Sequence, residues 1–543
     1  MIYDSAILKI YDVPVAYFPK FFHPDPTVKR QSGFLKPAFN DSNTLGSSFY
    51  IPYFKVLDES RDLTFKPTIY DDNKISIQNE YRQITKNSYF ETDIGLVNGY
   101  KSSSTSNKKS IGHLFAKYDY DLNLPDYNTS TLQISLEKVT NDTYLKVFDT
   151  DLSKVNLKPN EKNKTKNEFK YILSNDNFSF TTGLSAYESL NQSNNDRYQY
   201  VFPYYNFSKT IIASKFNGNF DLFSNGDNKL SNTNNLSTRI INDINYRSFD
   251  WISNFGLVNN FNAYFKNINR TAKNDTVYTN SIQLDGKGLI EYKSTFPLKK
   301  INTDTIDILT PKLSLRASES GMVNSSTSNR LITTDNIFNI NRLGLNDSLE
   351  SGKSLTLGLD YKKSKIKNVD KYFEFKLAKS FRNKFESKIP TSSTLDKKSS
   401  NMFGKIKNNF NKNLSISYDF SVNDNLNSFE YNSLNTKLSF NKLETEFNFI
   451  EKNGFIGSTN SLENKTTLNF KNKNYLTFQT RRNRKINLTE YYDLVYEYKN
   501  DCLTAGIKYK KSYYEDRELK PSEDLFFTVT IIPLSTFEQK VDR

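Results

Sequence analysis

Apolar and polar residues alternate along this chain, and the alternation recurs from one end to the other. The alternating apolar positions are Leu132, Ile134 and Leu136; Leu355, Leu357, Leu359 and Tyr361; Leu414, Ile416, Tyr418, Phe420 and Val422; Tyr492, Leu494, Tyr496 and Tyr498; Leu503, Ala505, Ile507 and Tyr509; and Phe527, Val529 and Ile531. A period of two residues is typical of β-strands whose two faces differ, whereas helical spacing is hard to find anywhere. The pattern therefore predicts an all-β chain.

Tracts of Asn, Ser, Lys, Asp and Gly separate the alternating runs and favour turns. The longer tracts are residues 101–110, 156–167, 225–237 and 319–330, and a short one covers 471–474. Long and short connections together are typical of an up-and-down barrel with loops at one end and turns at the other. No repeat of about 40–50 residues stands out, which disfavours a propeller.

Two architectures explain the alternation. In a soluble β-sandwich the apolar face packs into a protein core, whereas in an outer-membrane barrel it faces lipid and the polar face lines a wet lumen. Three features favour the barrel: runs of about 8–11 residues, charges in the middle of the polar faces, and Tyr and Phe at strand ends. At about 20 residues per strand and connection, such a chain would form roughly 27 strands.

The composition fits a barrel better than a large apolar core. Hydrophobic residues make up only 36% of the 543 residues, while Phe 42 and Tyr 35 give an aromatic content of 14%. No run reaches the roughly 18 apolar residues of a membrane-spanning helix, which excludes a helical membrane protein. The net charge of +14 comes from scattered basic residues with acidic ones between them. We assign it to lumen, loops and composition bias, and expect no nucleic-acid partner.

Enzyme chemistry finds little support in the sequence. His23 and His113 lie in different contexts without metal-ligand spacing, and each is expected in a loop or an interface. P-loop, dinucleotide-binding and nucleophile-elbow motifs are absent from the sequence. The single cysteine, Cys502, cannot close an intrachain disulfide and excludes cysteine-based zinc sites. We therefore expect neither an enzyme nor a cofactor.

The beginning of the chain is rich in proline. Residues 1–10 lack a secretory signal, which predicts either a cytoplasmic protein or a fragment that starts inside a larger one. Residues 13–37 hold five of the 15 prolines, and this predicts a rigid, irregular junction. Pro37 and Pro52 lie beside alternating runs and suit two adjacent strands joined by a turn at 40–46. They would weaken that pairing, or else cap strand ends and protect a sheet edge.

These residues resemble the LPS-assembly outer-membrane protein (LptD) family. The landmarks, in order, are the junction with its run Lys29-Arg30-Gln-Ser-Gly33-Phe-Leu; the Pro37/Pro52 pair; Asp62-Leu-Thr-Phe-Lys-Pro67; Asn79-Glu-Tyr-Arg82; Leu309-Thr-Pro311-Lys-Leu; Thr334-Asp335-Asn-Ile-Phe338; Asn341-Arg342-Leu-Gly; Asp347-Ser-Leu-Glu350-Ser-Gly352; and Asn500-Asp-Cys502-Leu. They follow the family's order and span nearly the whole chain.

The resemblance implies a large antiparallel transmembrane β-barrel of about 26 strands in the cell outer membrane, preceded by the last strand of a truncated β-jelly-roll. Residues 1–30 would be the end of that periplasmic domain and the hinge, and residues 31–543 the barrel. The implied function is to receive lipopolysaccharide (LPS) from a periplasmic bridge and insert it into the outer leaflet. The alternatives are another outer-membrane barrel, such as a porin or receptor, and a soluble β-rich binding protein.

The resemblance also implies partners and a disulfide. Besides LPS, the partners are an LptA-like periplasmic bridge, an LptE-like lipoprotein plug inside the barrel and the outer-membrane barrel assembly machinery. Cysteines near the end of the family's barrel form disulfides with the N-terminal region. Cys502 matches one such position, and its partner would lie upstream of Met1.

Moving an amphipathic lipid sideways requires the barrel wall to open, and the seam between first and last strands is the cheapest place. Each proline removes a ladder donor, and a hydrogen bond contributes about 0.5–1.5 kcal/mol net. We therefore predict a lateral gate at Pro37 and Pro52, with residues 524–532 as the final strand opposite. Hinge and entrance residues would be Pro19, Pro24, Pro26, Lys29, Arg30 and Gly33. The entrance cations, with Lys36, would contact lipid phosphates or stay solvated.

Overall fold

The computed structural model describes residues 2–10, 13–22, 31–35, 38–42, 45–71, 73–101, 109–149, 151–152, 155–192, 195–275, 278–319, 321–324, 330–470, 474–499, 503–513, 522–531 and 535–540. About 66% of the chain is strand and 3% is helix. The predicted all-β class is therefore confirmed.

The N-terminal residues form a hairpin of their own. Strands β1 (Ile2–Ile10) and β2 (Val13–Phe22) pair antiparallel in a separate two-stranded sheet, with Ile7 opposite Tyr17. The irregular junction predicted for residues 13–37 is wrong for residues 13–22, which form β2. The assignment of residues 1–30 to the end of a jelly-roll domain and a hinge stays a prediction. Pro14 and Pro19 are tolerated within β2 because each strand of a two-stranded sheet is an edge strand.

All remaining strands belong to one large sheet of about 28 strands, close to the expected number. Its first part contains β3 (Gly33–Phe34), β4 (Ala38–Ser42), β5 (Gly46–Tyr50), β6 (Tyr53–Val56), β7 (Arg61–Tyr70), β8 (Ile75–Ile84), β9 (Ser88–Tyr100), β10 (Lys109–Asp121), β11 (Thr129–Val139), β12 (Lys164–Asn175), β13 (Phe178–Ser189), β14 (Tyr198–Ala213), β15 (Gly218–Ser231), β16 (Asn235–Ser248) and β17 (Trp251–Ile252). The second part contains β18 (Val258–Lys273), β19 (Gln283–Thr295), β20 (Leu298–Ile301), β21 (Thr305–Ser318), β22 (Lys353–Lys365), β23 (Tyr372–Arg382), β24 (Met402–Asn411), β25 (Leu414–Val422), β26 (Phe429–Phe440), β27 (Leu443–Lys452), β28 (Thr459–Phe470), β29 (Asn474–Asn483), β30 (Leu488–Lys499), β31 (Leu503–Ser512), β32 (Ser522–Ile531) and β33 (Ser535–Lys540).

Apart from the contacts of β3 with β6 and of β33 with β4, neighbouring strands are close in chain order and pair antiparallel. In three places two consecutive strands share one partner: β5 and β6 pair with β7, β16 and β17 with β18, and β19 and β20 with β21. Each such pair counts as one interrupted strand, which is why the described segments β3 to β33 make about 28 strands. The strands reach 16 residues in β14 and β18, longer than the expected runs. The tract 225–237 was expected to be a connection but lies mostly in β15 and β16, because polar residues can occupy one face of a strand.

The two faces of the sheet differ as a membrane-facing wall requires. Across β21, β22 and β23, one row reads Leu315, Leu355 and Phe381, and the next reads Arg316, Ser354 and Arg382. Leu315 is 47% and Phe381 39% exposed, whereas the two arginines and the serine are buried. A water-soluble protein would bury the leucines instead. We call the face with exposed apolar residues the outer face and the opposite one the inner face.

Helix is scarce. The described residues include one short α-helix, α1 (Tyr144–Val147), and 3₁₀ turns at Asn195–Arg197, Ser214–Phe216, Thr391–Ser393 and Gly454–Ile456. Among the described residues, no helix has the length and apolar character needed to cross a membrane.

Two connections cover parts of the inner face. The helical segment (residues 140–149, 151 and 152) follows β11 and packs with buried residues of β7, β9 and β10. The arginine segment (residues 330–352) precedes β22 and contributes Ile332, Ile337 and Leu343 to a second apolar cluster. In the described part of the chain, the buried apolar clusters lie where such connections cover the inner face, and the second cluster also includes Met322, Ile389 and Leu395, which lie outside the arginine segment.

Candidate functional site

The first strands of the large sheet are interrupted at Pro52. It lies between β5 and β6, and the register continues unbroken from Tyr50 opposite Thr68 to Tyr53 opposite Phe65. The backbone N–H of Leu35 donates to the carbonyl oxygen of Pro52 at 2.7 Å. Residues directly opposite in such a pair normally exchange two hydrogen bonds. Since proline has no N–H, the return bond from Pro52 to Leu35 cannot form.

A second proline weakens the adjoining position. Successive residues of a strand direct their backbone groups to opposite neighbours, so Ile51 faces β7 when Pro52 faces β3. The register places Ile51 opposite Pro67 of β7, and Pro67 has no donor to return either. Two adjoining ladder positions across three neighbouring strands therefore each lack a donor. We call this arrangement the seam break.

Sequence reasoning found Pro52 but missed the role of Pro67. The sequence contained Pro67 within a family landmark, but its effect depends on the register of β5 and β6 on β7. Pro37 lies outside the described residues, immediately before β4. Its position is compatible with the predicted hairpin, because β4 and β5 do pair, with Ala38 opposite Tyr50.

The opposite side of the seam also differs from the prediction. We expected residues 524–532 to be the final strand, but β33 follows β32 in the structure. Strand β33 pairs with β4 at one position, Gln539 with Phe39, in the parallel sense. By contrast, β32 and β33 pair antiparallel from Phe526 to Ile531. The β33–β4 contact is therefore sparse beside its neighbours.

The other predicted residues divide into described and undescribed ones. Gly33 lies in β3 opposite Phe54, and Pro19 lies in β2. Pro24, Pro26, Lys29, Arg30, Lys36, His23 and Cys502 lie outside the described residues. Where the chain is described, no group of His, Cys, Asp and Glu is arranged to hold a metal ion.

We expected His113 in a loop or an interface, and this prediction was wrong. It lies in β10 on the inner face and is 5% exposed. Its Nε2 lies 2.5 Å from Oδ1 of Asp93, and its Nδ1 lies 2.7 Å from the hydroxyl of Tyr144 in α1. A side chain at Gly95 would overlap the His113 ring, so this glycine makes room for the histidine. The hydrogen bond to Tyr144 is what attaches the helical segment to the sheet here.

The arginine segment is held by a buried ionic cluster. Arg342 is fully buried and donates from Nε and Nη2 to the carboxylate of Glu350 at 2.8 and 2.5 Å. Arg382 of β23 donates to the same carboxylate at 2.5 Å. Arg316 of β21 lies 3.7 Å from it and donates to the carbonyl oxygens of Asn339 and Ile340. One carboxylate therefore joins the segment to two strands.

The electrostatics of this cluster follow from three cations around one anion. Burial by itself would raise the pKa of Glu350, but the charges of Arg342 and Arg316 outweigh it and hold that pKa well below its ordinary range. Arg342 also donates to the hydroxyl oxygens of Thr356, Ser380 and Ser354. These bonds satisfy the guanidinium, which a buried charge requires.

Several sequence landmarks meet in the structure. Asp62 of β7 lies opposite Arg82 of β8, and Nε of Arg82 donates to its carboxylate at 2.9 Å. Asp335 of the arginine segment accepts from Lys376 and Lys405 at 3.0 and 2.7 Å. The landmarks Asn341-Arg342 and Asp347 to Gly352 are joined by the Arg342–Glu350 pair. The family landmarks in the sequence therefore include the residues of these ion pairs, although the pairs themselves could not be predicted.

An exposed apolar outer face and a polar inner face covered by folded connections define a β-sheet protein of the outer-membrane barrel class. No family model matches the chain. Among curated proteins, LPS-assembly protein LptD of Hahella chejuensis is 29% identical over 208 residues, which is 37% of this chain and 25% of that protein. The same-named proteins of Legionella pneumophila and Ectopseudomonas mendocina are 26% identical over 168 residues and 35% identical over 84 residues. Their matched regions cover 28% and 16% of this chain, and 19% and 9% of those proteins.

The chain thus matches a quarter or less of the length of these relatives. Together with the sheet, the matches make it an LptD-like protein of the outer membrane. Among solved structures, the ferric-catecholate import receptor Fiu of E. coli K12 superposes with a TM-score of 0.26 at 9% identity, covering 94% of this chain and 82% of the receptor. A score this low supports no conclusion about fold or function.

Proposed function

We propose that this chain takes part in LPS assembly at the outer membrane, and that it delivers the lipid sideways through its wall at the seam between first and last strands. The LptD matches support the process, since those proteins are named for LPS assembly. The observation that carries the sideways route is the seam break, which lies beside the sparse contact between β33 and β4. In this proposal the chain is an assembly protein and needs no catalytic residue.

The two faces suit an amphipathic cargo. LPS has acyl chains that need an apolar path and a phosphorylated, sugar-rich head that needs a polar one. The inner face offers polar and charged groups, and the outer face meets lipid. The wall between them must part, and parting is least costly where backbone hydrogen bonds are already missing. Pro52, Pro67 and, by sequence, Pro37 are the gate residues of this proposal.

The remaining parts of the proposal follow the LptD resemblance. Residues 1–30 would end a periplasmic domain and lead into the barrel of residues 31–543. Pro19, Pro24, Pro26 and Gly33 would form the hinge, with Lys29 and Arg30 at the entrance. Partners would be LPS, an LptA-like bridge, an LptE-like plug and the barrel assembly machinery. Cys502 would form a disulfide with the N-terminal region of a longer chain.

The test is a double substitution, Pro37→Ala with Pro52→Ala, in cells where this chain is the sole copy. Restored backbone donors should tighten the seam and slow the appearance of newly made LPS at the cell surface by about 2- to 10-fold per hydrogen bond. The matched control is Pro297→Ala with Pro311→Ala, a proline pair at β19–β21. Unchanged delivery in the first variant, with normal barrel assembly, would contradict the proposed route.

A further inference from the structure

The seam break has a contact on its inner side. Lys66 of β7 lies opposite Pro52 in the register. Its Nζ lies 3.3 Å from the carbonyl oxygen of Asp151 in the helical segment and 4.5 Å from the centre of the Tyr50 ring. Lys66 thus connects the helical segment to the strands on both sides of the break.

Further contacts join the same segment to the same strands. The hydroxyl of Tyr70, four residues further along β7, donates to Oδ2 of Asp151 at 3.1 Å. Leu45, in the turn between β4 and β5, belongs to the apolar cluster that includes Tyr144, Leu145 and Phe148. The first hairpin of the sheet is therefore packed against the helical segment.

The segment is itself fixed to strands that lie away from the seam. The backbone N–H of Thr140 donates to the carbonyl oxygen of Gly112 in β10 at 3.0 Å. The hydroxyl of Tyr144 is hydrogen-bonded to His113 in the same strand. At its beginning, Asp142 pairs with Arg197 at 2.5 Å. Burial raises the pKa of Tyr144 above its ordinary value. The beginning of the segment is thus attached to β10, which lies away from the seam, whereas its end at Asp151 contacts β7 beside the seam break.

We propose that the helical segment is an internal strap that holds the seam closed, and that it must detach from Lys66 and Tyr70 before the seam opens. This inference rests on the proposed lateral route. The missing donors of Pro52 and Pro67 make the seam weak within the wall, and the strap supplies side-chain and apolar contacts from inside the wall. His113 and Asp93 act as positioning residues, because they hold Tyr144 and not the seam itself.

The test measures amide hydrogen exchange of the purified full chain, without LPS. In the variant Tyr70→Phe with Tyr144→Phe, the strap loses two hydroxyl bonds while every backbone bond of the sheet is kept. Exchange in β5 and β6 should rise about fivefold or more, since one hydrogen bond contributes roughly this factor to a local opening. The matched control is Tyr278→Phe, which removes the bond to Asp347 in the arginine segment and should leave β5 and β6 unchanged.

A second variant, with residues 143–152 replaced by a Gly-Ser linker, removes Asp151 and its contacts to Lys66 and Tyr70 together with α1, and should raise exchange in β5 and β6 further. Unchanged exchange there in both variants would overturn the inference. A uniform rise over the whole sheet would overturn it as well, because it would assign the segment a general structural role. The LPS-delivery assay of the proline variants is independent, so its failure would remove the lateral route and leave the exchange result standing.

Discussion

Two of the breaks in the described part of the sheet lie at prolines, and they have different surroundings. At the seam break, Leu35 donates to Pro52 without a return bond. At the break between β19 and β20, the N–H of Phe296 donates to the carbonyl oxygen of Pro311 at 3.0 Å, again without a return bond. A lysine lies on the inner face next to a proline in each case: Lys66 precedes Pro67 at the first break, and Lys312, whose Nζ lies 5.8 Å from the centre of the Phe338 ring, follows Pro311 at the second.

The two breaks differ in how completely the neighbouring strands are paired. At the second break, β21 pairs with β22 without interruption from Thr305 to Ala317, and β18 pairs with β19 from Val258 to Arg270. The pairing of β18 with β19 ends at Val258 opposite Thr295, two residues before Pro297. Pro297 therefore interrupts no pairing with β18. At the seam, β3 and β4 are short, and β4 has one pair with β33. In the proposed route, a missing donor therefore opens the wall only where the next strands are weakly paired too.

The connections behind the two breaks are also held by different chemistry. The arginine segment is tied to β21 and β23 through a buried carboxylate and three guanidiniums. The helical segment is held by apolar packing, one histidine, tyrosine hydroxyls and, at its beginning, the ion pair of Arg197 with Asp142, whose side chain is 38% exposed. Breaking a buried ion pair leaves an unpaired charge and is costly, whereas separating hydroxyl and apolar contacts costs less. The seam is therefore backed by the connection that detaches more easily.

The largest expected effect is a loss of stability when the ionic cluster of the arginine segment is broken. Glu350→Ala should lower the free energy of unfolding by about 3–5 kcal/mol, because three buried guanidiniums lose their shared anion. The measurement is the temperature at which the folded band disappears in heat-modifiable gel migration. Glu319→Ala is the control, since this exposed residue lies 4.0 Å from Lys287 and should change the temperature little. Equal losses in both variants would contradict the anchoring role of Glu350.

The seam should respond in function more than in stability. Pro67→Ala returns a donor opposite Ile51 and should slow LPS delivery about 2- to 10-fold. Pro311→Ala makes the same chemical change at the second break and should leave delivery unchanged. If Pro311→Ala slows delivery as much as Pro67→Ala, the flanking ladders do not distinguish the two breaks.

Acid should act on the arginine segment. The folded-state pKa of Glu350 is lowered, so its stabilisation is fully present above the ordinary value of 4.5 and is lost as pH falls toward the folded-state value. Between about pH 5 and pH 3, the unfolding temperatures of the wild type and Glu350→Gln should therefore converge. A difference that stays constant over this range would contradict the charge-based account.

The smallest effect is expected at Asp335. Its ion pairs with Lys376 and Lys405 are formed by a carboxylate that is 49% exposed. Pairs of this kind contribute about 0–1 kcal/mol, so Asp335→Asn should shift the unfolding temperature only slightly and leave LPS delivery unaffected. A loss comparable to that of Glu350→Ala would show that exposure does not separate the two anions.

The sequence predicted the class of fold better than the site. Alternation from Leu355 to Tyr361 identified β22 correctly, because one face meets lipid and the other does not. The pairing of Pro52 with Leu35 was not predictable, since β3 pairs with β6 and β4 pairs with β5 in registers that differ by one residue. His113 was misplaced because nothing local indicates that α1 will cover it. Arg342 and Glu350 stood out as landmarks, but their pairing depends on the fold of the whole segment.

The most direct test cross-links the strands at the seam and, in a second variant, at the break between β19 and β20. With Cys502→Ser as background, Phe39→Cys and Gln539→Cys would cross-link β4 to β33, whereas Thr295→Cys and Lys312→Cys would cross-link the opposed residues at the second break. We expect oxidation of the first pair to abolish surface delivery of LPS and reduction to restore it, while the second pair has no effect. Delivery that continues through a fully cross-linked seam would contradict the lateral route.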